Sequence, residues 1–581
     1  MNGLKKRLIF LKVALLALMM AVVGRLFVIQ VLEHDKYVKL AEQRQVVRYE
    51  IRAKRGEIYM MDGEEAVPVV MNRKVWTVVV DPALADEERV KEVVDKYAKQ
   101  WRVTEWSKVF ADKRLRYFLV ARGIERELAE QIRAERVKGL WLKEYTERVY
   151  PEGELGARML GFVNADGEGQ YGVEGALNSE LKGKNGILKT VKDVNNIPLT
   201  IGNDNVRLPA EDGKKLLLTV DKNIQHATEK ALRKVMKELA VKNASAVVLD
   251  PKTGKVWAMA DLPGYDPANY GRVKNAEVYQ SGVVLDAYEP ASVCKTFAFA
   301  AGINEGVINP QTTYYNNDTT IVDGWRIDNA SKGHTGEITM QKALDWSLNT
   351  GSVQTLRLLG GSETEITQTG KEKLYDYYHE KFGLGQATGI ELIEAEGIVV
   401  PPKDLNATRA RYANMTFGQG LNLTMMQVAT AFAATVNGGE YFRPMMIGGE
   451  IKNGEIIRKS ELPKSVRRTV SEKTSQAMRE MLVHARRLYR GTKEWDEGLF
   501  VGGKTGTAQA IRSGRYVMDE TIGSYVGFGS NGAEELPEYV IMTKIWEEGK
   551  ALGGADAKKI FDEISRYMID YLGLGKEQNV R

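Results

Sequence analysis

Three short motifs in the sequence combine the residue types that a serine nucleophile needs. Lys295 follows Ser292 by three positions, Ser347 stands two positions before Asn349, and Lys504-Thr505-Gly506 comes late in the chain. A serine hydroxyl is a weak nucleophile and needs a neighbouring base. Lysine serves as that base when burial or a second cation lowers its pKa. The motifs therefore predict covalent catalysis in which Ser292 is acylated.

The polar residues of these motifs suit different steps of such a reaction. In a helix, Lys295 shares a face with Ser292, because residues three apart are neighbours. Lys504 supplies the second cation, and Ser347 relays a proton between the lysines and the leaving nitrogen. The side-chain amide of Asn349 fixes a peptide substrate by hydrogen bonds.

A strand near the end of the chain is predicted to bind the substrate. Thr505 and Thr507 flank Gly506 and can hold a terminal carboxylate, while the strand itself can pair with an extended peptide. The backbone N–H groups of Ser292 and Thr507 are the predicted oxyanion hole, where loss of one donor costs about 3 kcal/mol in well-studied enzymes.

Two of the motifs occur twice, so their surroundings must separate them. Ser179-Glu180-Leu181-Lys182 is predicted to be an exposed helix end, and Lys252-Thr253-Gly254 a hairpin turn. Ser292 instead opens an apolar helix after Glu289-Pro290-Ala291. Lys504 follows Leu499-Phe500-Val501-Gly502-Gly503, a strand whose glycines permit close backbone approach. The ordered set of three, in these contexts, marks Ser292.

Composition excludes several other kinds of site. The chain has 581 residues and a formal net charge of +5, with basic and acidic residues interleaved, which does not favour nucleic-acid binding. Cys294 is the single cysteine, so there is no intrachain disulfide and no cysteine-based zinc site. The five histidines are far apart in sequence. We expect no metal and no cofactor, and a packing role for Cys294.

The N-terminus is predicted to anchor the chain in a membrane. Lys5, Lys6 and Arg7 precede an apolar span, residues 8–31, which exceeds the roughly 20 residues that a crossing helix needs. The basic cluster predicts a cytoplasmic N-terminus, with the rest of the chain outside the cytoplasm. A cleaved signal peptide and a buried core helix are the alternatives. The segment after the apolar run is a poor cleavage site, and the basic cluster argues against a core helix.

Hydrophobic patterning predicts two α+β regions after the anchor. Between residue 35 and about residue 205, a strand is expected over 75–80 and helices over 87–101 and 124–136. The second region begins near Lys214. It is predicted to open with a strand over 216–220, a helix capped by Asp221, and a hairpin of 246–250 and 256–260. Mainly helices are predicted over 292–437. Strands over 501–510, 525–528 and 539–542 and a helix over 556–571, with Asp556 as N-cap, complete the region.

The chain resembles the class B penicillin-binding proteins over nearly its whole length. Beyond the three motifs, six segments are similar to landmarks of that family: Arg55-Gly56-Glu57-Ile58, Asp62-Gly63, Gly169-Gln170-Tyr171-Gly172-Val173-Glu174, His334-Thr335-Gly336, Gly418-Gln419-Gly420 and Asn437-Gly438-Gly439. The family usually has Gly before the nucleophile and Thr-Phe after it, whereas Ala291 and Val293-Cys294 stand here. These differences leave acylation rate and β-lactam sensitivity open.

The resemblance implies an architecture and an activity. The implied segments are a cytoplasmic tail (1–7), a transmembrane anchor (8–31), an elongated mixed pedestal of the dimerisation type (32–205), a transpeptidase domain (206–575) and a tail (576–581). The catalytic domain is expected to hold an antiparallel sheet flanked by helices plus a helical subdomain. The implied reaction is cross-linking of peptidoglycan stem peptides by acylation at D-Ala-D-Ala and transfer to an acceptor amine, with β-lactams as inhibitors.

The resemblance also implies a partner and a place of action. The expected partner is a polytopic lipid-II glycosyltransferase of the shape, elongation, division and sporulation family, in the plasma membrane. The length of the chain is more similar to the septal, cell-division type than to the elongation type.

Three alternatives remain open on the sequence. A β-lactamase needs fast deacylation, and the E-x-x-L-N pattern of one such class occurs only at Glu174–Asn178, before Ser292 instead of between the later motifs. A D,D-carboxypeptidase is disfavoured by the anchor and the pedestal. A non-catalytic penicillin-binding sensor or division scaffold is disfavoured by the intact motifs.

Overall fold

The computed structural model describes residues 2–37, 46–97, 102–103, 109–111, 114–191, 207–459, 464–488, 498–512 and 514–575. They belong to two compact units, 1–55 with 182–213, and 56–181 with 214–581. The predicted domain boundary at 205/206 and the tail 576–581 lie outside the described residues.

The first unit contains a long apolar helix and a small sheet. Helix α1 (Asn2–Phe27) continues into a π-helical turn (Val28–Leu32). The stretch Gly3–Leu32 is long and apolar enough to cross a membrane, and its most apolar 18 residues are not buried. The antiparallel sheet consists of Val46–Ile51, Gly186–Val191 and Arg207–Leu208.

The second unit begins with an eight-stranded mixed sheet. Strand Ile58–Asp62 pairs in parallel with Leu216–Asp221, so segments from both sides of residue 205 share this sheet. Its other strands are Glu65–Val80, Arg102–Val103, Phe118–Ile124, Leu140–Val149, Ile447–Lys452 and Glu455–Arg458. The predicted helices are present as Glu87–Tyr97 and Arg126–Ala134, and residues 98–101 lie outside the described part. Short elements follow at Ala157–Leu160, Phe162–Val163, Gly169–Gln170, Gly172–Ala176 and Asn178–Lys182.

A five-stranded antiparallel sheet forms the centre of the part of the second unit that carries the three motifs. In chain order its strands are β1 (Asn243–Leu249), β2 (Val256–Leu262), β3 (Phe500–Arg512), β4 (Arg515–Ser530) and β5 (Tyr539–Trp546). In space the order is β2-β1-β5-β4-β3, which leaves β3 at one edge. The strands predicted from the sequence are therefore confirmed.

Alternating residues of each strand pack against helices on the two faces of this sheet. On one face, Ala246 and Val248 of β1 join a core with α2 (Lys222–Leu239) and the C-terminal helix Gly554–Leu572. On the other face, Val247 and Leu249 join the larger core of the helical subdomain. Successive strand residues point to opposite faces, so one strand serves both cores.

The helical subdomain carries the elements that hold the motifs. Its main helices are α3 (Lys295–Asn304), α4 (Met340–Asp345), α5 (Asn349–Leu359), α6 (Met425–Val436) and α7 (Glu472–Leu488). The C-terminal helix on the other face of the sheet, Gly554–Leu572, is α8. Shorter helices and turns are Pro267–Arg272, Ala276–Tyr279, Gly282–Leu285, Gln368–Tyr375, Asp376–Lys381 and Arg409–Met415.

One sequence prediction gains detail here, and one is wrong. The helical stretch 292–437 is interrupted by strands Thr313–Asn316, Thr319–Val322, Trp325–Asp328 and Gly336–Thr339. Asp556 is not the N-cap of α8. Gly553 occupies that position, and the Asp556 carboxylate accepts a hydrogen bond from the Gly553 N–H at 3.0 Å, as the third-position acid of a capping box does. Asp221, by contrast, caps α2 as predicted, accepting from Asn223 and Ile224.

Candidate active site

The predicted nucleophile lies in a tight turn at the start of α3. Residues Ala291–Cys294 form a 3₁₀ turn that leads into the helix at Lys295. Side chains three residues apart nearly eclipse in such a turn, which places Ser292 and Lys295 on one side. Ala291 has φ +50°, and its N–H donates to the Gly418 carbonyl at 3.1 Å. Cys294 is fully buried in the subdomain core, and burial raises the pKa of its thiol.

Ser347 connects the two motif lysines through its hydroxyl. The Lys504 ammonium donates to Ser347 Oγ at 2.8 Å, and Lys295 donates to the same oxygen at 3.2 Å and to the Ser347 carbonyl at 2.5 Å. Ser347 sits between α4 and α5 with φ +53°; its hydroxyl contacts both amines, and its carbonyl contacts that of Lys295. The structure thus brings together Lys295 of α3, Ser347 of the loop between α4 and α5, and Lys504 of β3.

Burial shifts the protonation of both lysines. Burial, followed by the charge of Lys504, holds the pKa of Lys295 well below its ordinary value. Burial lowers the pKa of Lys504 to about 7, while the negative charge of Asp345 acts in the opposite direction. A neutral amine beside a serine is a suitable general base, because it can accept the hydroxyl proton.

Asn349 begins α5 and is held by a polar network behind it. Its Nδ2 donates to the Asp328 carbonyl at 2.8 Å. The next residue, Thr350, donates its N–H to Asn329 Oδ1 (3.0 Å) and its hydroxyl to Asn316 Oδ1 (2.8 Å). Asn316 and Asn329 are buried, so these bonds fix the start of α5 in a water-poor setting.

Strand β3 presents the third motif at the edge of the sheet. Lys504 is buried, Thr505 is half-buried and Thr507 is exposed. Thr507 Oγ1 accepts a hydrogen bond from the Gly554 N–H at 3.0 Å. A Cβ on Gly506 would lie 2.5 Å from both the Pro290 carbonyl and Ser524 Oγ, so only glycine lets β3 approach the nucleophile turn this closely.

Both the sequence and the fold are similar to those of known proteins. Residues 244–566 match the family described as "Penicillin binding protein transpeptidase domain", and residues 50–218 match "Penicillin-binding Protein dimerisation domain". The chain belongs to the penicillin-binding protein transpeptidase family. The resemblance to class B penicillin-binding proteins is thereby confirmed, as is the mixed α+β fold with a pedestal and a catalytic domain.

Individual relatives cover most of this penicillin-binding protein. Stage V sporulation protein D of Bacillus subtilis is 29% identical over 99% of this chain and 87% of its own length. Peptidoglycan D,D-transpeptidase FtsI of Escherichia coli is 26% identical over 93% of this chain and 87% of its own. The structure of penicillin-binding protein 2X from Streptococcus thermophilus aligns with a TM-score of 0.69 at 22% identity, covering 91% of this chain and 80% of that one, which shows the shared fold.

The duplicate motifs lie where the sequence predicted. Ser179 and Lys182 are exposed on the short helix Asn178–Lys182, and Lys252-Thr253-Gly254 forms the turn between β1 and β2. Glu174, which begins the E-x-x-L-N pattern, is buried and accepts a hydrogen bond from Arg148 at 2.7 Å. In this penicillin-binding protein it is a structural ion pair of the pedestal.

Two carboxylates near the site have roles that sequence reasoning missed. Glu289 accepts from the Gly420 N–H at 2.7 Å and from the Tyr516 hydroxyl at 3.1 Å, linking the nucleophile turn to the β3–β4 hairpin. Asp345, two residues before Ser347, is buried. In the sequence, Glu289 stands out only as the start of Glu289-Pro290-Ala291. Each of these acids lies within three residues of a motif serine, which is visible in the sequence. Their burial is not, because it depends on the fold.

No metal-binding arrangement stands out near these motifs. Within the described ranges, no group of three or more His, Cys, Asp or Glu side chains is placed to hold a metal ion.

Proposed function

We propose that Ser292 is the nucleophile of a peptidoglycan D,D-transpeptidase, and that Lys295, Ser347 and Lys504 move its protons. The observation that carries this proposal is the continuous contact from Lys295 through Ser347 Oγ to Lys504, next to the turn that bears Ser292. Membership of the penicillin-binding transpeptidase family supports the same reaction.

Acylation begins when Ser292 Oγ attacks the carbonyl of the penultimate D-Ala. The hydroxyl proton passes to neutral Lys295, and the carbonyl oxygen becomes an oxyanion that the N–H groups of Ser292 and Thr507 stabilise. The C–N bond then breaks. The departing D-Ala nitrogen receives a proton through Ser347, and Ser292 is left as an ester of the stem peptide.

Deacylation by an amine completes the transfer. The acceptor amine attacks the ester carbonyl, a new C–N bond forms, the ester C–O bond breaks, and Ser292 regains a proton. The amine loses its own proton to the same lysine–serine chain.

The substrate is expected to bind along β3. As the edge strand of the sheet, β3 can add an extended peptide by main-chain hydrogen bonds. Thr505 and Thr507, with protonated Lys504, then meet the terminal carboxylate, while Gly506 keeps the strand close to the nucleophile turn. Asn349 is oriented by Asp328 towards the substrate amide.

The test is a transfer assay on the purified full-length protein in detergent. A stem pentapeptide ending in D-Ala-D-Ala is supplied with and without an amine acceptor, and Ser292→Ala is the blank. We expect D-Ala release with an amide product that requires the amine. Hydrolysis whose rate does not depend on the amine would indicate a carboxypeptidase. Rapid turnover of penicillin would indicate a β-lactamase, and the absence of any reaction would indicate a sensor or scaffold.

We also propose that the protein is a single-pass membrane protein with its catalytic region outside the cytoplasm, at the septum, beside a polytopic lipid-II glycosyltransferase. Lys5, Lys6 and Arg7 at the start of α1 support this orientation. External protease applied to spheroplasts should digest the catalytic region. Pull-down of the full chain from detergent should recover the polymerase, and its absence would contradict the partnership.

A further inference from the structure

One strand of the eight-stranded mixed sheet has an open outer side. The pedestal strand Leu140–Val149 pairs with Glu65–Val80 along its whole length without a register shift, and no other strand of the described residues pairs with it. A regular edge of this kind exposes main-chain donors and acceptors that can bind another extended chain. The pedestal therefore offers a binding edge that the three catalytic motifs do not use.

Hydrogen bonds to the neighbouring strand show which main-chain groups point outwards. The Asp81 N–H donates to the Gly139 carbonyl at 2.8 Å, and the Thr77 hydroxyl donates to the Lys143 carbonyl at 3.0 Å. Main-chain groups alternate between the two sides of an antiparallel strand, so the odd-numbered residues face the neighbour. The N–H and C=O groups of three even-numbered residues point outwards: Leu142, Glu144 and Thr146. No further main-chain hydrogen bond among the described residues satisfies them.

The strand lacks the usual protection of an edge. Native edges are commonly guarded by prolines, bulges or outward charges. This strand contains no proline and no bulge. Two of its acids are drawn back over their own sheet, because Glu144 pairs with Lys74 at 2.9 Å and Glu147 with Arg73 at 2.8 Å. The outward main-chain groups are therefore accessible to a partner.

A cavity of about 240 Å³ lies along the first part of this edge. Its lining takes no residue from Glu65–Val80, so the cavity is on the free side of the strand. It combines apolar and basic side chains, among them Leu140, Trp141, Leu142, Arg133 and Arg136. The Trp141 side chain is 48% exposed. The cavity thus suits a ligand that carries both apolar and acidic groups.

The two cavity arginines are exposed and have no acid of their own chain beside them. The acids nearest in sequence, Glu130 and Glu135, bind Arg126 and Lys96 instead. No ion pair within the described ranges neutralises Arg133 or Arg136. Their planar guanidinium groups are suited to bind carboxylates.

We propose that the outer edge of Leu140–Val149 binds an extended, acidic segment of a partner protein. The segment adds a strand to the sheet through the outward main-chain groups, places an apolar side chain in the cavity, and meets Arg133 and Arg136 with its carboxylates. A second copy of this chain is disfavoured as the occupant, because a symmetric contact would bring the same arginines together. The surface serves assembly and is independent of the chemistry of Ser292.

Fluorescence anisotropy with full-length protein in detergent tests the chemistry of the segment. The probe is a labelled octapeptide that alternates glutamate and valine, and the control alternates lysine and valine. We expect the acidic peptide to bind, more weakly as salt is added, and the basic peptide not to bind. No binding of the acidic peptide, or equal binding of both, would overturn the inference.

Glu144→Pro tests the main-chain pairing. The proline removes an outward N–H and leaves the ladder to the neighbouring strand intact, as edge positions allow. Loss of this hydrogen bond should weaken binding of the acidic peptide by about fivefold or more. Glu144→Ala keeps the N–H and is the matched control, which should bind as the wild type does. Equal binding by both variants would overturn the pairing.

A second measurement covers the case in which Glu144→Pro does not fold, as judged by circular dichroism. Acidic peptides N-methylated on all valines or on all glutamates lack one set of donors each. One of the two must lose binding to the wild-type protein, because only one set can face the strand. Full binding of both peptides would overturn the inference.

Charge reversal on the helix Arg126–Ala134 tests the basic site. Arg133→Glu should weaken binding of the acidic peptide, whereas Arg126→Glu changes the net charge equally outside the cavity and should not. Equal effects of the two variants would contradict a local site. Wild-type protein that sediments as a dimer and becomes monomeric in Glu144→Pro would show that a second copy occupies the edge, which would overturn the assignment of an acidic partner.

Discussion

At the scale of single residues, the site combines unusual backbone conformations with buried amines. Ala291 and Ser347 both have φ near +50°, in a region that residues with a Cβ seldom adopt. Each is followed or contacted by a proposed catalytic group, and each is fixed by hydrogen bonds such as Ala291 N–H to Gly418. Strained backbone of this kind concentrates at functional sites, where the surrounding structure imposes it.

Replacing Ala291 by glycine should relieve this strain. A left-handed conformation costs an alanine about 1 kcal/mol, partly offset by the greater entropy of glycine in the unfolded chain. We expect Ala291→Gly to raise the free energy of unfolding by about 0.5 kcal/mol, measured by denaturant titration. Ala240→Gly is the matched control, because Ala240 has φ +52° at the end of α2. Both should stabilise the protein, but only Ala291→Gly should alter acylation. Loss of stability in both would contradict the argument.

The buried lysines should make stability depend on pH. The folded-state pKa of Lys504 is about 7, whereas an unfolded lysine titrates near its ordinary value of 10.5. Between these values the unfolded chain holds more protons, so the free energy of unfolding should rise as pH increases from about 7 to 10. This gain is lost as pH falls from about 10 to 7, and below 7 the group is protonated in both states, so no further change is expected from it.

Lys504→Met tests that linkage directly. The variant should unfold less readily than the wild type at pH 7, by about 1 kcal/mol or more, because no buried charge must be accommodated. Its unfolding free energy should rise less steeply over pH 7 to 10, while acylation is lost. Parallel pH curves for the two proteins would show that Lys504 titrates normally in the folded state.

At this scale the sequence indicates which residues could react, but not the hydrogen bonds and backbone conformations that position them. The motif spacing predicts Ser292, Lys295, Ser347 and Lys504 as the reactive residues, because each type has a distinct chemical role, and the structure brings the last three into contact. The contact between Glu289 and Tyr516 joins residues 227 positions apart, and no local pattern marks it. The left-handed conformations of Ala291 and Ser347 are equally hidden, since neither residue is glycine.

At the scale of elements, the site depends on how the β3–β4 hairpin approaches the nucleophile turn. The Tyr516 hydroxyl donates to both oxygens of Glu289, at 3.1 and 3.2 Å, and Glu289 stands three residues before Ser292. Tyr516 is 48% exposed, and burial keeps the pKa of Glu289 above its ordinary value. This link ties the β3–β4 hairpin to the nucleophile turn.

Tyr516→Phe should loosen the hairpin without unfolding the protein. Loss of hydrogen bonds to a charged group costs about 1.5–3 kcal/mol locally, so trypsin should cut at Arg512 or Arg515 faster and acylation should slow several-fold. Tyr571→Phe is the control, because Tyr571 donates to Asp221 at 2.8 Å outside the site. Equal rates of cleavage in the two variants would mean that the Glu289 contact does not restrain the hairpin.

Strands and long helices were predictable because their periodic patterns are intrinsic to the sequence. The five strands of the central sheet and α2 with its Asp221 cap all follow from such patterns. The 3₁₀ turn at Ser292 and the short strands between 313 and 339 were not, since four-residue elements are decided by tertiary contacts. The prediction of Asp556 as an N-cap is wrong because Gly553 fills that position, which glycine favours.

At the scale of the whole molecule, α1 is the element that could attach the protein to a membrane. Its continuous apolar surface has no counterpart to pack against within the described residues of its unit. Full-length protein should sediment with membranes and resist an alkaline carbonate wash, whereas a chain lacking residues 2–32 should move to the soluble fraction. Membrane retention of the shortened chain would show that another segment provides the attachment.

The most direct test of the central assignment is the mass of the penicillin adduct. Full-length protein is incubated with benzylpenicillin, digested with trypsin and sequenced by mass spectrometry. We predict one added penicillin per chain, located on Ser292, lost in Ser292→Ala and retained in Ser179→Ala, which removes the serine of the duplicate motif. An adduct on another residue, or one that persists in Ser292→Ala, would contradict the account.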